Sequence, residues 1–417
     1  MFKDLKVVKI ILFLFLAVLI ASNQINEHKN TEFIFNPLSY NSQDTLSFSV
    51  VSNSSSQNHK IKIKSIISEK IILDSTLNIN KTYDYFSQVD FLTLGYPTER
   101  QSITNLSLSS GIYLVNNLNP FVVSKNTESD VTIVFPTANN LFYTAEKDRR
   151  IFESDSSYTS TVRSLEMDVW TKGMISFFKN VEKEYNVNYI TDLDLENFSF
   201  LAKTKLVVLY GNLTFWSPKM LKNVERFIAN GGKLFITSSD IFYAKFCFDQ
   251  NNQRLEVSSC NEVESTLNSK IQSWNSNVDI ESFSDMRYSF HSNYGGENID
   301  RFGVDIKESE HPIFKNLDLI GVSKVLDVGE HYLGVPGGNR RAGAYLKDTS
   351  SKISIIAQTN CKWKEHLDRL GGVFEFQKEN GGRAIILGTS DLCLKEQQEE
   401  EITAELFLNI MSYLLPS

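Results

Sequence analysis

Side chains able to do chemistry collect in this chain at the ends of short apolar runs. Leu206–Tyr210 is one such run, and it stops at Gly211-Asn-Leu-Thr-Phe-Trp-Ser217. Asn212 and Thr214 would offer polar atoms there. Phe215 and Trp216 would form either an aromatic platform for a ligand or a lid packed on the next helix. Lys233–Thr237 is a second run, ending at Ser238-Ser239-Asp240. A serine at that turn acts as a nucleophile only with a base at hand. The nearest histidines, His291 and His311, lie in or beyond irregular sequence, so Ser239 and Asp240 are expected to cap a helix. Asp192 and Asp194 follow a third run, Val187–Ile190. They suit turn and cap duty better than cation binding. Tyr143, Glu330 and His331 are the remaining candidates for metal ligands, although adjacent Glu330 and His331 would diverge on a strand. The segment His311-Pro-Ile-Phe314 reads as a loop anchor.

The elements that position these groups are best marked between Leu206 and Asp240. After the first run, Ser217 is placed to cap a helix and Pro218 suits its first position. Met220, Leu221, Val224, Phe227 and Ile228 then share one helical face, and Gly231-Gly232 stops the helix before the next strand. This is one βαβ unit, with its loop at the carboxyl end of the first strand. Ligands of open α/β sheets bind at that end.

The same alternation extends through residues 126–417. Val131–Phe135, Val187–Ile190, Ile353–Ala357 and Arg383–Leu387 read as strands. Met174, Phe177, Phe178, Val181 and Tyr185 mark one helix, and Ile402, Leu406, Ile410, Met411 and Leu414 the last. A polar, poorly periodic insertion covers roughly 252–299. Strands alternating with helices predict an α/β fold with a mostly parallel sheet covered on both faces. Residues 24–125 differ: Leu46, Phe48 and Val50 alternate with serines, and Ile61 and Ile63 with lysines, which predicts a small immunoglobulin-like β-sandwich.

The chain has 417 residues and a formal charge of −8. Acidic balance without a basic, aromatic-laced patch argues against nucleic-acid binding. Lys3, Lys6 and Lys9 precede the apolar run Ile10–Ala21, a pattern expected of a signal peptide or signal anchor over residues 1–23. The expected location is therefore periplasmic or extracellular, with membrane contact only through that segment. Of the four cysteines, Cys247 and Cys260 are spaced to close a small disulfide loop if the chain is exported, and buried thiols are the alternative. None has the C-x-x-C spacing of a zinc site.

Five segments resemble, in order, the C-terminal part of the N,N-dimethylformamidase large (β) subunit family. They are Ser110-Gly-Ile-Tyr-Leu-Val115 with Pro120-Phe-Val-Val123, Val131-Thr-Ile-Val-Phe-Pro-Thr137, Tyr189-Ile-Thr-Asp-Leu-Asp-Leu195, Gly211–Ser217 with Phe227-Ile-Ala-Asn-Gly-Gly232, and Gly381-Gly-Arg with Gly388-Thr-Ser390. The resemblance implies a flavodoxin- or class I glutamine amidotransferase-like sheet. It also implies hydrolysis of a small amide by water on an iron held by two tyrosines and a glutamate, hard oxygen donors suited to a Lewis acid. Carried over residue by residue, that ligand set is damaged here. The family's G-H-x-E-Y-W-S places Asn212, Thr214 and Phe215 where it has histidine, glutamate and tyrosine. Leu141 stands where a second tyrosine belongs, with Tyr143 two residues on, and Glu330 matches the family's carboxylate. Two expectations result: an exported amidase-like hydrolase, or a non-catalytic binding or scaffold protein on the same fold. The ligand would be a small amide in the first case and a polymer or protein partner in the second.

Overall fold

A computed structural model of the chain describes residues 31–35, 39–52, 58–79, 101–104, 106–145, 159–161, 167–211, 213, 215–238, 244–249, 254–256, 286–290, 304–326, 342–346, 353–359, 370–379, 381–387, 391–394 and 397–416. The leader, most of the 252–299 insertion, and Asn212, Thr214, Ser239, Asp240, Cys260, His291, Glu330 and His331 lie outside them.

Among the described residues a ten-stranded sheet forms the centre. Five of its strands are parallel: β1 (Ser129–Phe135), β2 (Val187–Thr191), β3 (Thr204–Tyr210), β4 (Lys233–Thr237) and β5 (Arg383–Leu387). They lie in the order β2-β1-β3-β4-β5. This is the flavodoxin-like order, which reverses direction between β1 and β3. The pairings bring Thr191, Phe135, Tyr210, Thr237 and Leu387 to one edge. Beyond β5 the sheet continues antiparallel through Leu370–Gln377, so it is mixed rather than mostly parallel.

Right-handed crossovers put the helix after β1 and the helix after β3 on opposite faces, because the chain moves outward from the switch point in opposite directions. Helix α1 (Thr137–Ala145) leaves β1. Helix α2 (Val169–Glu184) leads into β2, α3 (Pro218–Ala229) joins β3 to β4, and α4 (Gln397–Leu414) ends the chain. On one face Phe177 of α2 packs edge-on against Phe235 of β4 and Phe407 of α4, with ring centroids 6.2 Å and 5.3 Å apart. Helix α3 buries Met220, Leu221, Val224, Phe227 and Ile228, the face expected from spacing, and Ser217 accepts the N–H of Met220 at 3.1 Å. Gly231 then leaves the helix at φ 89°, a conformation that favours glycine.

Residues before 125 form a three-stranded and a five-stranded sheet. They enclose a second core in which Phe35 and Phe121 stack at 4.7 Å. The outer face of the larger sheet adds Ile112 and Val122 to the α/β core. Polar latches hold it to β2: Tyr189 N–H donates to Ser110 Oγ at 2.9 Å, and Ser39 Oγ donates to Asp194 at 2.7 Å.

Candidate functional site

The reversal between β1 and β3 opens a crevice at the carboxyl edge, where a ligand would bind. Its floor is built from the segments that leave each strand. After β1 the chain turns through Pro136 into α1, whose first N–H groups have no partner within the helix and attract an anion. Asp192, placed by the 3-10 turn after β2, supplies acceptor oxygens for them from inside the protein. It accepts Thr137 N–H at 3.0 Å and Ala138 N–H at 3.0 Å, and is only 1% exposed. Burial pushes its carboxyl up to about 8, against the backbone N–H groups of Ala138, Leu193 and Thr137, which pull it down. Asp194 closes a capping box with Thr191, taking its N–H and its hydroxyl at 2.8 Å each. Both aspartates therefore do cap duty, in keeping with their position after a strand.

After β3, Gly211 turns the chain at φ 78° with its α-carbon beside Trp170 and Pro136. The segment then folds back onto α1, with Phe215 N–H meeting Asn139 Oδ1 at 3.4 Å and Trp216 Nε1–H donating to Leu213 O at 2.6 Å. Phe215 is 2% exposed and Trp216 fully buried. Neither presents a platform; the aromatic pair is loop packing. Ser238, at the end of β4, is likewise buried, and among the described residues its hydroxyl has no hydrogen-bond partner to act as a base.

Sequence reasoning missed one polar chain at this edge. Asp168 caps α2, accepting Thr171 N–H at 2.6 Å and the Thr171 hydroxyl at 2.7 Å, while Asn140 Nδ2 donates to it at 3.2 Å. The Thr171 hydroxyl in turn meets the Tyr210 hydroxyl at 2.9 Å. Burial raises the Asp168 carboxyl and holds the Tyr210 phenol well above its ordinary value. The tyrosine stays protonated and every Asp168 oxygen is engaged, so the chain is a helix cap rather than a ligand set. Its signal was the Asp168-x-x-Thr171 spacing before an apolar periodic stretch.

An iron centre of the kind the resemblance implies needs oxygen at positions 215 and 141. Phe215 has none, and Leu141 is fully buried in α1, two residues from the Asn139 that contacts the Phe215 backbone. Position 143 is also in α1, about 200° around the axis from position 141. It cannot replace 141 without nearly half a rotation of the helix. The described donor set does not fit the metal.

Another perturbed carboxylate lies at the opposite edge of the sheet, where β5 begins. Burial would raise Glu375, but the nearby His311 imidazole and hydrogen bonds from Tyr413 and Gln377 outweigh it and hold the carboxyl below its ordinary range. Tyr413 donates to Glu375 at 2.7 Å, and His311 Nε2 approaches it at 3.4 Å, an electrostatic contact rather than an aligned bond. His311 Nδ1 also accepts Ile313 N–H at 3.4 Å, so the His-Pro-Ile-Phe segment is anchored as expected. A carboxyl with a depressed folded value adds stability above its unfolded value and loses it as pH falls. Melting curves should therefore show Glu375→Gln less stable than the parent by about 2 kcal/mol at pH 7, with the gap closing below about pH 4.

Cys247 is disulfide-bonded. Cys393 is buried, and the expected partner Cys260 lies outside the described residues, as does Cys361.

Comparison with solved proteins adds little about chemistry. Two GH42 β-galactosidases, Gan42B from G. stearothermophilus and one from Bacillus circulans sp. alkalophilus, are 13% and 10% identical with TM-scores of 0.36 and 0.34. Each likeness covers 69% of this chain, which spans only 30% and 31% of theirs. The mmIFT52 N-terminal domain is 9% identical, with a TM-score of 0.34 over 69% of this chain and 97% of that one. No curated protein matches. The family model described as "N,N-dimethylformamidase beta subunit-like, C-terminal" matches residues 106–368, more than half of the sequence. From the last hairpin of the N-terminal sheets to beyond β4, this chain belongs to the N,N-dimethylformamidase beta subunit-like family.

Proposed function

We propose that this chain is a non-catalytic member of its family, exported and used as a binding or scaffold protein. One observation carries the reading: the positions that answer to the family's tyrosines hold Phe215 and Leu141, both packed into the core. Two further features support it. The first N–H groups of α1, which would otherwise be open to a ligand at the switch point, are taken by the protein's own Asp192 carboxyl. After β3, Phe215 is buried and its N–H meets Asn139 of α1. The strand order supports kinship with class I glutamine amidotransferase-like domains, which bind at this edge. Export is supported by the leader pattern and by the disulfide at Cys247, since such bonds persist in oxidising compartments. The ligand of such a protein is a polymer or protein partner held by the β-rich domain and the sheet edge together.

The competing reading is an amidase that rebuilds its iron site from Tyr143 and Glu330; family membership favours it. Purified protein incubated with ferric iron, desalted and offered short amides separates the two. The scaffold reading expects no retained stoichiometric iron and no release of amine above background. Iron-dependent turnover would overturn it.

A further inference from the structure

The strand Asn58–Ser65 buries His59, Ile61 and Ile63 and turns Lys60, Lys62 and Lys64 to the opposite face, as alternation requires. Successive lysines therefore leave the strand roughly 6–7 Å apart. On the same face the two strands to one side dock on the α/β core through Ile112 and Val122, and the edge strand Ile71–Asn78 lies on the other side. Asp74 of that edge strand stands 3.8 Å from Lys60. Glu69 lies between Lys64, at 4.0 Å, and Lys179 of α2, at 2.9 Å, so the row continues across the junction with the α/β part. Among the described residues Lys62 has no ion-pair partner. Four ammonium groups thus meet two carboxylates, a positive track on a chain whose formal charge is −8. Its ion pairs stand at the surface, where they contribute little to stability, and their charges stay open to a partner.

We propose that this track binds an acidic polysaccharide, which names the polymer of the binding-protein reading above and rests on that reading. Evenly spaced ammonium groups on flexible stems act as separate point charges, and they suit a chain whose carboxylates repeat along its length. The cross-strand neighbours of the row are Thr76, Asp74, Ile71 and Leu114. None is an aromatic ring on which a base could stack, which disfavours a single-stranded nucleic acid. A row rather than a pocket also lacks the buried anchor that a folded protein partner would need. Because Lys179 belongs to α2, the polymer would lie across both parts of the chain.

The test runs the intact protein through native affinity gels at low salt. Polygalacturonate, a chain of carboxylated sugars, should retard it; neutral dextran should not, and added salt should release it. Lys60→Gln combined with Lys62→Gln should weaken the apparent affinity about tenfold, the effect of two exposed charge contacts. Lys219→Gln combined with Lys222→Gln removes the same charge from α3, on the opposite face of the central sheet, and should leave the affinity unchanged. Lys179→Gln should lose about threefold by itself and decides the matter if the strand variant does not fold. No retardation by polygalacturonate, equal retardation by dextran, equal loss in the two double variants, no loss with Lys179→Gln, or tighter binding to vesicles of anionic phospholipid each overturns the proposal. The assay needs neither iron nor turnover. Its failure would leave the non-catalytic reading standing, whereas iron-dependent amide turnover overturns that reading and not the track.

Discussion

Replacing Asp192 by alanine is expected to lower the unfolding free energy by about 3 kcal/mol, through two buried N–H groups left without acceptors. Thr137 and Ala138 both donate to this carboxyl, and α1 has no acid of its own in its first turn. The loss should appear first as fraying of Thr137–Ala145, seen as faster amide exchange there than in α2 or α3. Asparagine keeps an acceptor oxygen and should cost about 1 kcal/mol at pH 5. The pH dependence has a definite sign. A carboxyl raised to about 8 in the fold contributes its full stability below its unfolded value and loses it as pH rises toward 8. An amide in its place does not titrate and would not share that loss, so the deficit of Asp192→Asn should shrink between pH 5 and pH 8. Melts of both variants across that range check the claim. An alanine variant as stable as the parent would mean that the helix end is satisfied by some other group.

The second large effect concerns Phe215. If the ring is core rather than site, Phe215→Ala should destabilise by about 3–5 kcal/mol, the usual range for emptying an aromatic pocket. Phe215→Tyr would return the phenol of the family's motif. Here it would bury a hydroxyl with no partner, at a cost of about 1–3 kcal/mol. An added ferric ion would offset that cost only if other oxygen ligands converge on the ring edge. Denaturant midpoints of the tyrosine variant with and without iron therefore read the geometry around position 215 directly. No shift with iron is expected.

The parallel half of the fold was legible in the sequence because each strand is a short apolar run closed by a turn residue. The capped helix Pro218–Ala229 has its five buried residues where helical spacing put them. The antiparallel extension was not legible. Leu370-Gly-Gly-Val-Phe-Glu-Phe-Gln377 carries two glycines at its start, which break the strand signal, although it pairs with its sequence neighbours Ile353–Thr359 and Arg383–Leu387. The aspartates after β2 could be read as caps from their position, but not as the cap of a helix more than fifty residues earlier; only the β2-β1 pairing brings Asp192 to Thr137. The Asp168–Thr171–Tyr210 chain was missed for the same reason, since its tyrosine arrives from β3. Phe215 and Trp216 stood open between platform and packing. Sequence can show that an aromatic pair is present, but burial is a property of the assembled loop.

The most direct measurement is the iron content of the purified protein after incubation with ferric iron and desalting. With Phe215 and Leu141 where phenols would have to be, the expected result is iron far below one equivalent per chain and no visible phenolate-to-iron absorption band. One iron per chain with that band would contradict the non-catalytic reading, because oxygen donors would then have to converge at the mouth of the sheet.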